Sequence, residues 1–312
     1  MKQFCMVSFL SCLIFTLSAQ SVAERLGYKA DDRLLIINND DAGMCHAANV
    51  ATIANHENGL LSSSTIMVTC PWYSEIAEYA RNHPDKGFGV HLTLTAEWKY
   101  YRWKPLLSKE VVPGLYAPDG YMWRSVQEVY KASNTNEALL EGRAQIQRAI
   151  DDGIPLTHID SHMGTYQYDL AWQQVYMQLA LEFNLPLRMP SQLLCAMMGF
   201  PKLRADFAEK GLVFPDYLVM VDDPDYDHRV KEYWMETLKN LPAGITELFI
   251  HGTIANDESR AITSSADTRN KEFDTFMYDQ DIQKLIADKG IIIIGYKQLR
   301  DLQRKNTTGS HP

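Results

Sequence analysis

The chain has 312 residues, of which 46% are hydrophobic and 22% charged, and its formal net charge at pH 7 is −9. These proportions are typical of a soluble globular protein of one large domain or two ordinary ones. Because the chain is acidic and has no basic run, it is poorly suited to binding nucleic acid or an anionic lipid surface.

The first 23 residues have the pattern of a secretory signal peptide. Lys2 precedes an apolar stretch over Phe4–Leu17. The pattern then ends on two small residues, Ser21 and Ala23, with one residue between them. The stretch is shorter than the roughly 20 residues that span a bilayer. A lipoprotein site at Cys12 is the alternative, but this cysteine lies inside the apolar stretch. We expect a single mature domain, residues 24–312, that is secreted or periplasmic.

Three cysteines, Cys45, Cys70 and Cys195, follow the leader. Their wide spacing matches neither a disulfide framework nor a CxxC zinc site. We expect them to be buried as small hydrophobic residues, with one disulfide at most.

Strand-like apolar runs then alternate with segments of helical spacing. The seven strand-like runs are Leu34–Asn38, Ser64–Val68, Phe88–Leu94, Leu156–Asp160, Leu185–Met189, Leu248–His251 and Ile291–Tyr296. The helical segments are His46–Asn58, Tyr73–Asn82, Asn136–Asp152, Ala171–Asn184, Val230–Leu241 and Gln280–Lys289. This alternation predicts an α/β fold with a parallel sheet covered by helices. Seven strands in one continuous series favour a barrel over two separate sheets.

The first strand ends on two adjacent aspartates, Asp40 and Asp41. Ligands of α/β folds bind at the carboxyl ends of strands, and two neighbouring carboxylates repel each other unless a cation lies beside them. One aspartate could therefore bind a metal ion while the other acts as a base. The alternative is that they cap a helix beginning near Ala42.

Histidines stand at later strand ends. His91 lies within a strand-like run, where a single histidine is more often a core residue than a ligand. In an extended chain His158, Asp160 and His162 point to the same face, which is costly in an apolar core. They suit a polar barrel mouth, with one histidine on a metal and Asp160 orienting its neighbour. His251 ends a late strand before a glycine. A mixed Asp/His set suits zinc, cobalt, nickel or manganese, with magnesium also open.

An aromatic segment from Glu97 to Trp123 interrupts the alternation after the His91 strand. Long loops at this face shape substrate pockets, so Trp98 and Trp103 are candidates for stacking on sugar rings. The alternative is a satellite hydrophobic cluster that holds the loop in place.

Taken together, these motifs resemble the YdjC-like family of carbohydrate deacetylases. The family's N-x-D-D-x-G strand end corresponds to Asn38–Gly43, its G-x-H-x-x-L-T strand to Gly89–Thr95, and its T-H-x-D-S-H segment to Thr157–His162. A late strand ending in histidine corresponds to His251. The resemblance covers nearly all of the mature chain and implies an irregular seven-stranded (β/α) barrel related to the polysaccharide-deacetylase fold.

The resemblance also implies residue roles. Asp41, His91 and His162 would bind one divalent metal ion, Mg²⁺ or Zn²⁺. Asp40 would be the catalytic base and His251 the general acid. Arg188, in an Arg-x-Pro element, would orient the base. From the alternation of the strand, and not from the resemblance, we expect His158 and Asp160 to lie behind the ligands and orient them. The chain departs from the family in two places. It has Met163, Gly164, Thr165 and Tyr166 where members usually have further histidines, and Ala42 where they usually have phenylalanine.

The implied activity is removal of acetyl groups from N-acetylated sugars or oligosaccharides, and a homodimer is one expectation for the assembly. An O-acetyl ester hydrolase with the same residues is an alternative within enzymes. A secreted non-catalytic sugar-binding protein is the alternative from another class, although it would need neither a base nor an acid.

Overall fold

A computed structural model describes residues 20–308, so most of the predicted signal peptide lies outside the described residues. The description begins with a short helix, α1, at Val22–Arg25, whose capping box pairs Ser21 with Glu24. Within this helix Ala23 is buried. Helix α1 spans the predicted boundary at residue 24, which stays a prediction. Within residues 20–308, no helix has the length and hydropathy of a membrane span.

Seven parallel strands of the described chain form one curled sheet. They are β1 Arg33–Ala42, β2 Ser63–Ile66, β3 Phe88–Leu92, β4 Ile159–Ser161, β5 Tyr217–Val219, β6 Gly244–Ile250 and β7 Ile292–Ile293. Their order is β4–β3–β2–β1–β6–β5, and β7 pairs with the start of β1. Every residue of β1 after Arg33 is buried, as expected of a central parallel strand covered on both faces. The predicted α/β class is confirmed.

The predicted strand at Leu185–Met189 is wrong. This segment contributes a single bridge, from Leu187 to Ile159, because Pro186 and Pro190 lack the backbone N–H that a ladder requires. The seventh strand is instead β5, which was not predicted. Within residues 20–308 the edge strands β4 and β5 do not pair, so the sheet is a curled half-barrel and a complete barrel is not observed.

Thirteen helices of the described residues accompany the sheet. After α1 they are α2 His46–Asn58, α3 Tyr73–Asn82, α4 Val126–Ala132, α5 Thr135–Asp151, α6 Leu170–Glu182, α7 Gln192–Met197, α8 Leu203–Glu209, α9 Val230–Lys239, α10 Asp257–Ile262, α11 Ala266–Met277, α12 Gln280–Asp288 and α13 Tyr296–Thr308. All six predicted helices are confirmed to within two residues at each end. Asn134, Asp169 and Asp279 fix the starts of α5, α6 and α12 by accepting hydrogen bonds from the first-turn N–H groups.

The apolar core lies on both sides of the sheet. Helices α3, α5 and α6 pack against β2–β4, and helices α9, α11 and α12 pack against β1 and β6. Cys45, Cys70 and Cys195 are free thiols buried within this packing, as expected. The packing leaves the carboxyl ends of the strands to meet at one edge of the sheet.

Candidate metal centre and active site

A cavity of about 450 Å³ opens at the carboxyl ends of the strands. It brings together six predicted site residues, although they are spread over more than 200 positions of the sequence: Asp40, Asp41, His91, His162, Arg188 and His251. Parallel strands end at the same edge, which explains why side chains so distant in sequence meet here.

The end of β1 explains how two adjacent aspartates face one cavity. Side chains alternate along a regular strand, so Asp40 and Asp41 would normally point to opposite faces. Asp41 instead has φ of 63°, a left-handed conformation that aspartate tolerates, and the pairing of β1 with β2 shifts register here. Helix α2 begins at His46 with Cys45 as its N-cap residue. The helix-cap alternative for these aspartates is therefore wrong.

Three buried ligand atoms converge on one point. Asp41 Oδ1 lies 3.4 Å from His91 Nε2 and 3.3 Å from His162 Nδ1, and the two nitrogens are 3.2 Å apart. Asp41 Oδ1 has no hydrogen-bond partner among the described residues. A buried, unpartnered carboxylate oxygen facing two imidazole nitrogens fits a cation bound by all three.

Neighbouring carboxylates raise the pKa of both histidines at this point, His91 and His162. Burial opposes protonation of His91, but Asp160, Asp40 and Asp41 together raise its pKa to about 10. Burial likewise opposes protonation of His162, yet Glu97 and Asp41 raise its pKa to about 9. A bound cation would supply the positive charge that these protons otherwise provide.

A second group, formed by Asp40, His91 and Asp160, also has ligand atoms close together. Arg188 already neutralises both of its carboxylates, with Nη1 lying 2.7 Å from Asp40 Oδ2 and 3.0 Å from Asp160 Oδ2. A metal ion there would have to sit beside a buried guanidinium, so the group that contains Asp41 is the better metal site.

Arg188 holds Asp40 through a bidentate ion pair. Its Nη1 and Nη2 donate to the two carboxylate oxygens at 2.7 Å each, and its Nε donates to Glu247 Oε1 at 2.8 Å. Burial raises the pKa of Asp40, but the Arg188 guanidinium more than offsets this and keeps the pKa well below its usual range. Asp40 is therefore ionised and fixed in orientation, as a base must be.

His251 follows the end of β6 on the side of the cavity where Phe249 lies, their ring centroids 5.7 Å apart. Its backbone N–H donates to the buried Glu272 at 2.7 Å, which fixes the chain at this point. A histidine that is partly exposed to the cavity can exchange a proton with a bound molecule.

Residues 34–288 match the family model described as YdjC-like protein. The chain belongs to the YdjC-like family. It is 29% identical over 269 residues to a carbohydrate deacetylase of Thermoanaerobacter pseudethanolicus, covering 86% of this chain and all of the relative. A carbohydrate deacetylase of Thermus thermophilus is 30% identical over 273 residues, 85% of this chain and 93% of the relative.

A solved structure is also similar to this chain in fold. The crystal structure of a protein from Enterococcus faecalis V583 superposes with a TM-score of 0.74 at 27% identity. The match covers 86% of this chain and 99% of that protein. The resemblance drawn from the motifs is therefore confirmed.

Two predicted groups of residues in this YdjC-like domain do not line the cavity. The His158 ring is stacked on Tyr296 at 3.8 Å and contacts the Thr157 hydroxyl, so it does not join the metal site. Trp103 is 3% exposed and packs in a cluster with Trp98, and neither lines the cavity. Burial of the Trp103 ring favours the satellite-cluster alternative for this residue, and the stacking role of Trp98 stays a prediction.

Several polar residues of the site were not predicted. Glu97 Oε2 lies 3.0 Å from His162 Nε2, and Arg269 Nη1 donates to Asp41 Oδ2 at 2.8 Å. Glu247 pairs with Arg188 as described above. A single carboxylate or guanidinium in a loop or helix carries no sequence signal of its own, although the position of Glu97 two residues after the His91 motif could have suggested it.

The remaining cavity wall is largely apolar. It includes Met163, Leu218, Met220 and Phe249. Met163 follows His162 directly, has φ of 50° and is 42% exposed. The departure from the family motif at Met163 therefore lies on the cavity surface.

Proposed function

We propose that this chain is a metal-dependent carbohydrate deacetylase that removes the acetyl group from an N-acetylated sugar or oligosaccharide. The observation that carries the proposal is the convergence of Asp41, His91 and His162 on one point, with Asp40 and His251 in the same cavity. The names of the YdjC-like relatives support the reaction class.

One divalent ion, Zn²⁺ or Mg²⁺, would be held by Asp41, His91 and His162. When bound, such an ion polarises the acetamide carbonyl and lowers the pKa of water. Two imidazoles and a carboxylate match the ligand preferences of Zn²⁺ better than those of Mg²⁺, which favours oxygen ligands. Zn²⁺ is therefore our first candidate.

Asp40 would accept a proton as water attacks the acetamide carbon. Among the described residues, its Oδ2 accepts a hydrogen bond from Arg188 alone, which leaves a lone pair for this proton. Arg188 keeps the carboxylate ionised and correctly oriented, and Glu247 in turn holds Arg188. The role of Arg188 is thus to position the base.

His251 would donate a proton to the leaving nitrogen. The new bond joins the water oxygen to the acyl carbon, the C–N bond breaks, and the products are acetate and a free amino sugar. An amine leaves poorly as an anion at neutral pH, so the reaction needs this proton. His251 and Asp40 both line the cavity, as an acid and a base acting on one substrate must.

We also propose that the protein is exported, on the basis of the N-terminal pattern in the sequence. Full-length protein expressed in a Gram-negative host should then appear in the periplasm or medium with a shortened N-terminus. Intact, uncleaved protein confined to the cytoplasm would contradict the export proposal while leaving the enzymatic one unaffected.

The decisive experiment is measurement of acetate release from a panel of N-acetylated and O-acetylated sugars. We expect release from N-acetylated substrates, loss of activity with a chelator, and its return on adding Zn²⁺. Release from O-acetyl esters alone would favour the ester-hydrolase alternative. Sugar binding without acetate release, in metal-loaded protein, would favour the non-catalytic alternative.

A further inference from the structure

Glu97 connects the aromatic segment to the metal site. It follows the His91 strand by a few residues, and its Oε2 lies 3.0 Å from His162 Nε2. Its side chain is 22% exposed, whereas that of His162 is 6% exposed. The contact therefore joins a mostly buried carboxylate to a buried ring that carries one of the three ligand atoms.

The geometry of His162 gives this contact a specific consequence. Its Nδ1 faces Asp41 Oδ1 and His91 Nε2, so a metal-binding ring must carry its proton on Nε2. The acceptor for that proton is Glu97. A carboxylate on the far nitrogen fixes the tautomer and the ring plane of a metal-binding histidine, and raises its basicity.

The other two ligands have partners of the same kind. His91 Nδ1 contacts Asp160 Oδ1 at 2.6 Å, and Asp160 is held in turn by the Thr65 hydroxyl at 2.9 Å. Asp41 Oδ2 accepts from Arg269 at 2.8 Å. Asp160 belongs to a buried strand, whereas Glu97 belongs to a connecting segment. The support for His162 thus depends on how that segment is held.

Two arginines hold the backbone and ring beside Glu97. Arg124 Nη1 donates to the carbonyl oxygens of Trp98, at 2.6 Å, and of Glu97, at 3.4 Å. The guanidinium of Arg269 lies over the Trp98 ring, 5.7 Å from its centroid, while binding Asp41. The segment is therefore packed against the metal site through both its carboxylate and its first tryptophan.

We propose that Glu97 is a positioning residue that holds His162 in the metal-binding tautomer, and that the aromatic segment serves to place it. This inference rests on the metal site of the proposed function. It assigns the segment a role in metal affinity, which differs from the sugar stacking considered for Trp98 and Trp103 on the basis of the sequence.

Calorimetric titration of metal-free protein with Zn²⁺ tests the proposal. Glu97→Ala should weaken Zn²⁺ binding by about 10- to 100-fold, as removal of such partners does elsewhere. Glu97→Gln retains an acceptor oxygen without the charge, so its loss should be smaller. The matched control is Glu75→Gln, because Glu75 also pairs its carboxylate with an imidazole, at 2.8 Å from Nδ1 of the surface residue His46. It should leave affinity unchanged.

The outcomes separate failure of this inference from failure of the metal site. The role of Glu97 would be overturned if both Glu97 variants bound Zn²⁺ as tightly as the parent protein while His162→Ala bound it clearly more weakly. Equal affinity in His162→Ala as well would overturn the metal site itself.

A nitrogen NMR spectrum of Zn²⁺-loaded protein supplies a second readout. It should show the His162 proton on Nε2, and a proton on Nδ1 would contradict the proposal. If Glu97→Ala does not fold, Glu97→Gln carries the test.

Discussion

Replacement of Asp40 by asparagine separates the base from the metal ligands. The substitution preserves size but removes the charge that pairs with Arg188 and turns one acceptor oxygen into an N–H₂ group. That group would face a guanidinium N–H, since both Asp40 oxygens accept from Arg188 at 2.7 Å. We expect the variant to lose catalysis, to lose some stability and to keep its metal.

The contacts of Asp40 set the expected size of the loss in rate and in stability. Loss of a general base lowers the rate by about 10²- to 10⁴-fold. Breaking a buried ion pair costs about 3–5 kcal/mol, but Arg188 keeps Asp160 and Glu247 as partners, so we expect the lower end of that range. In a domain of this size such a loss lowers Tm by roughly 5 °C. Metal content should change little, because Asp41, not Asp40, faces the two histidine nitrogens.

The assay combines acetate release, metal content and thermal unfolding on the same preparation. Asp41→Asn is the matched comparison, because it makes the same chemical change one residue along the chain and should lose metal as well as activity. Normal acetate release by Asp40→Asn would refute its role as the base. Equal metal loss in both variants would mean that the two aspartates share the ion.

Three further perturbations test other parts of the structure. His91→Ala and His162→Ala should each abolish activity and weaken metal binding by at least about tenfold, and full occupancy by metal analysis would refute the ligand assignment. Trp103→Ala should destabilise the protein by about 3–5 kcal/mol in chemical denaturation, because the ring is buried. KM should then change equally for a monosaccharide and an oligosaccharide, and a selective rise for the oligosaccharide would restore the stacking hypothesis. Burial, with a contribution from Lys86, lowers the pKa of His56 to about 3 in the native state. The pKa of histidine in the unfolded chain is about 6.5, so below that pH the unfolded state binds a proton that the native state does not. Stability should therefore fall with decreasing pH by about 1.4 kcal/mol per unit from this residue, and His56→Gln should reduce that slope in unfolding measured between pH 4 and 7.

The sequence by itself predicted the α/β class, six of the seven strands, six of the thirteen described helices and the residues that meet in the cavity. An apolar run ending in polar residues is a local pattern, and parallel strands end at a common edge. Asp40, Asp41, His91, His162 and His251 could therefore be assigned to one site without coordinates. The six predicted helices were equally accessible, because their spacing and caps are properties of neighbouring residues.

Only the tertiary structure decided which charges surround the ligands and which aromatic rings are buried. Asp41 and Arg269 are 228 positions apart, and Glu97 and His162 are 65 positions apart. No local pattern pairs such residues, because their contact depends on how a helix and a connecting segment pack over the sheet edge. The left-handed backbone of Asp41 is equally a product of that edge, since the strand's own alternation predicts that the two aspartates face opposite ways. Burial of Trp103 likewise follows from packing against α2, because the composition of the segment suits a hydrophobic cluster and a sugar platform equally well.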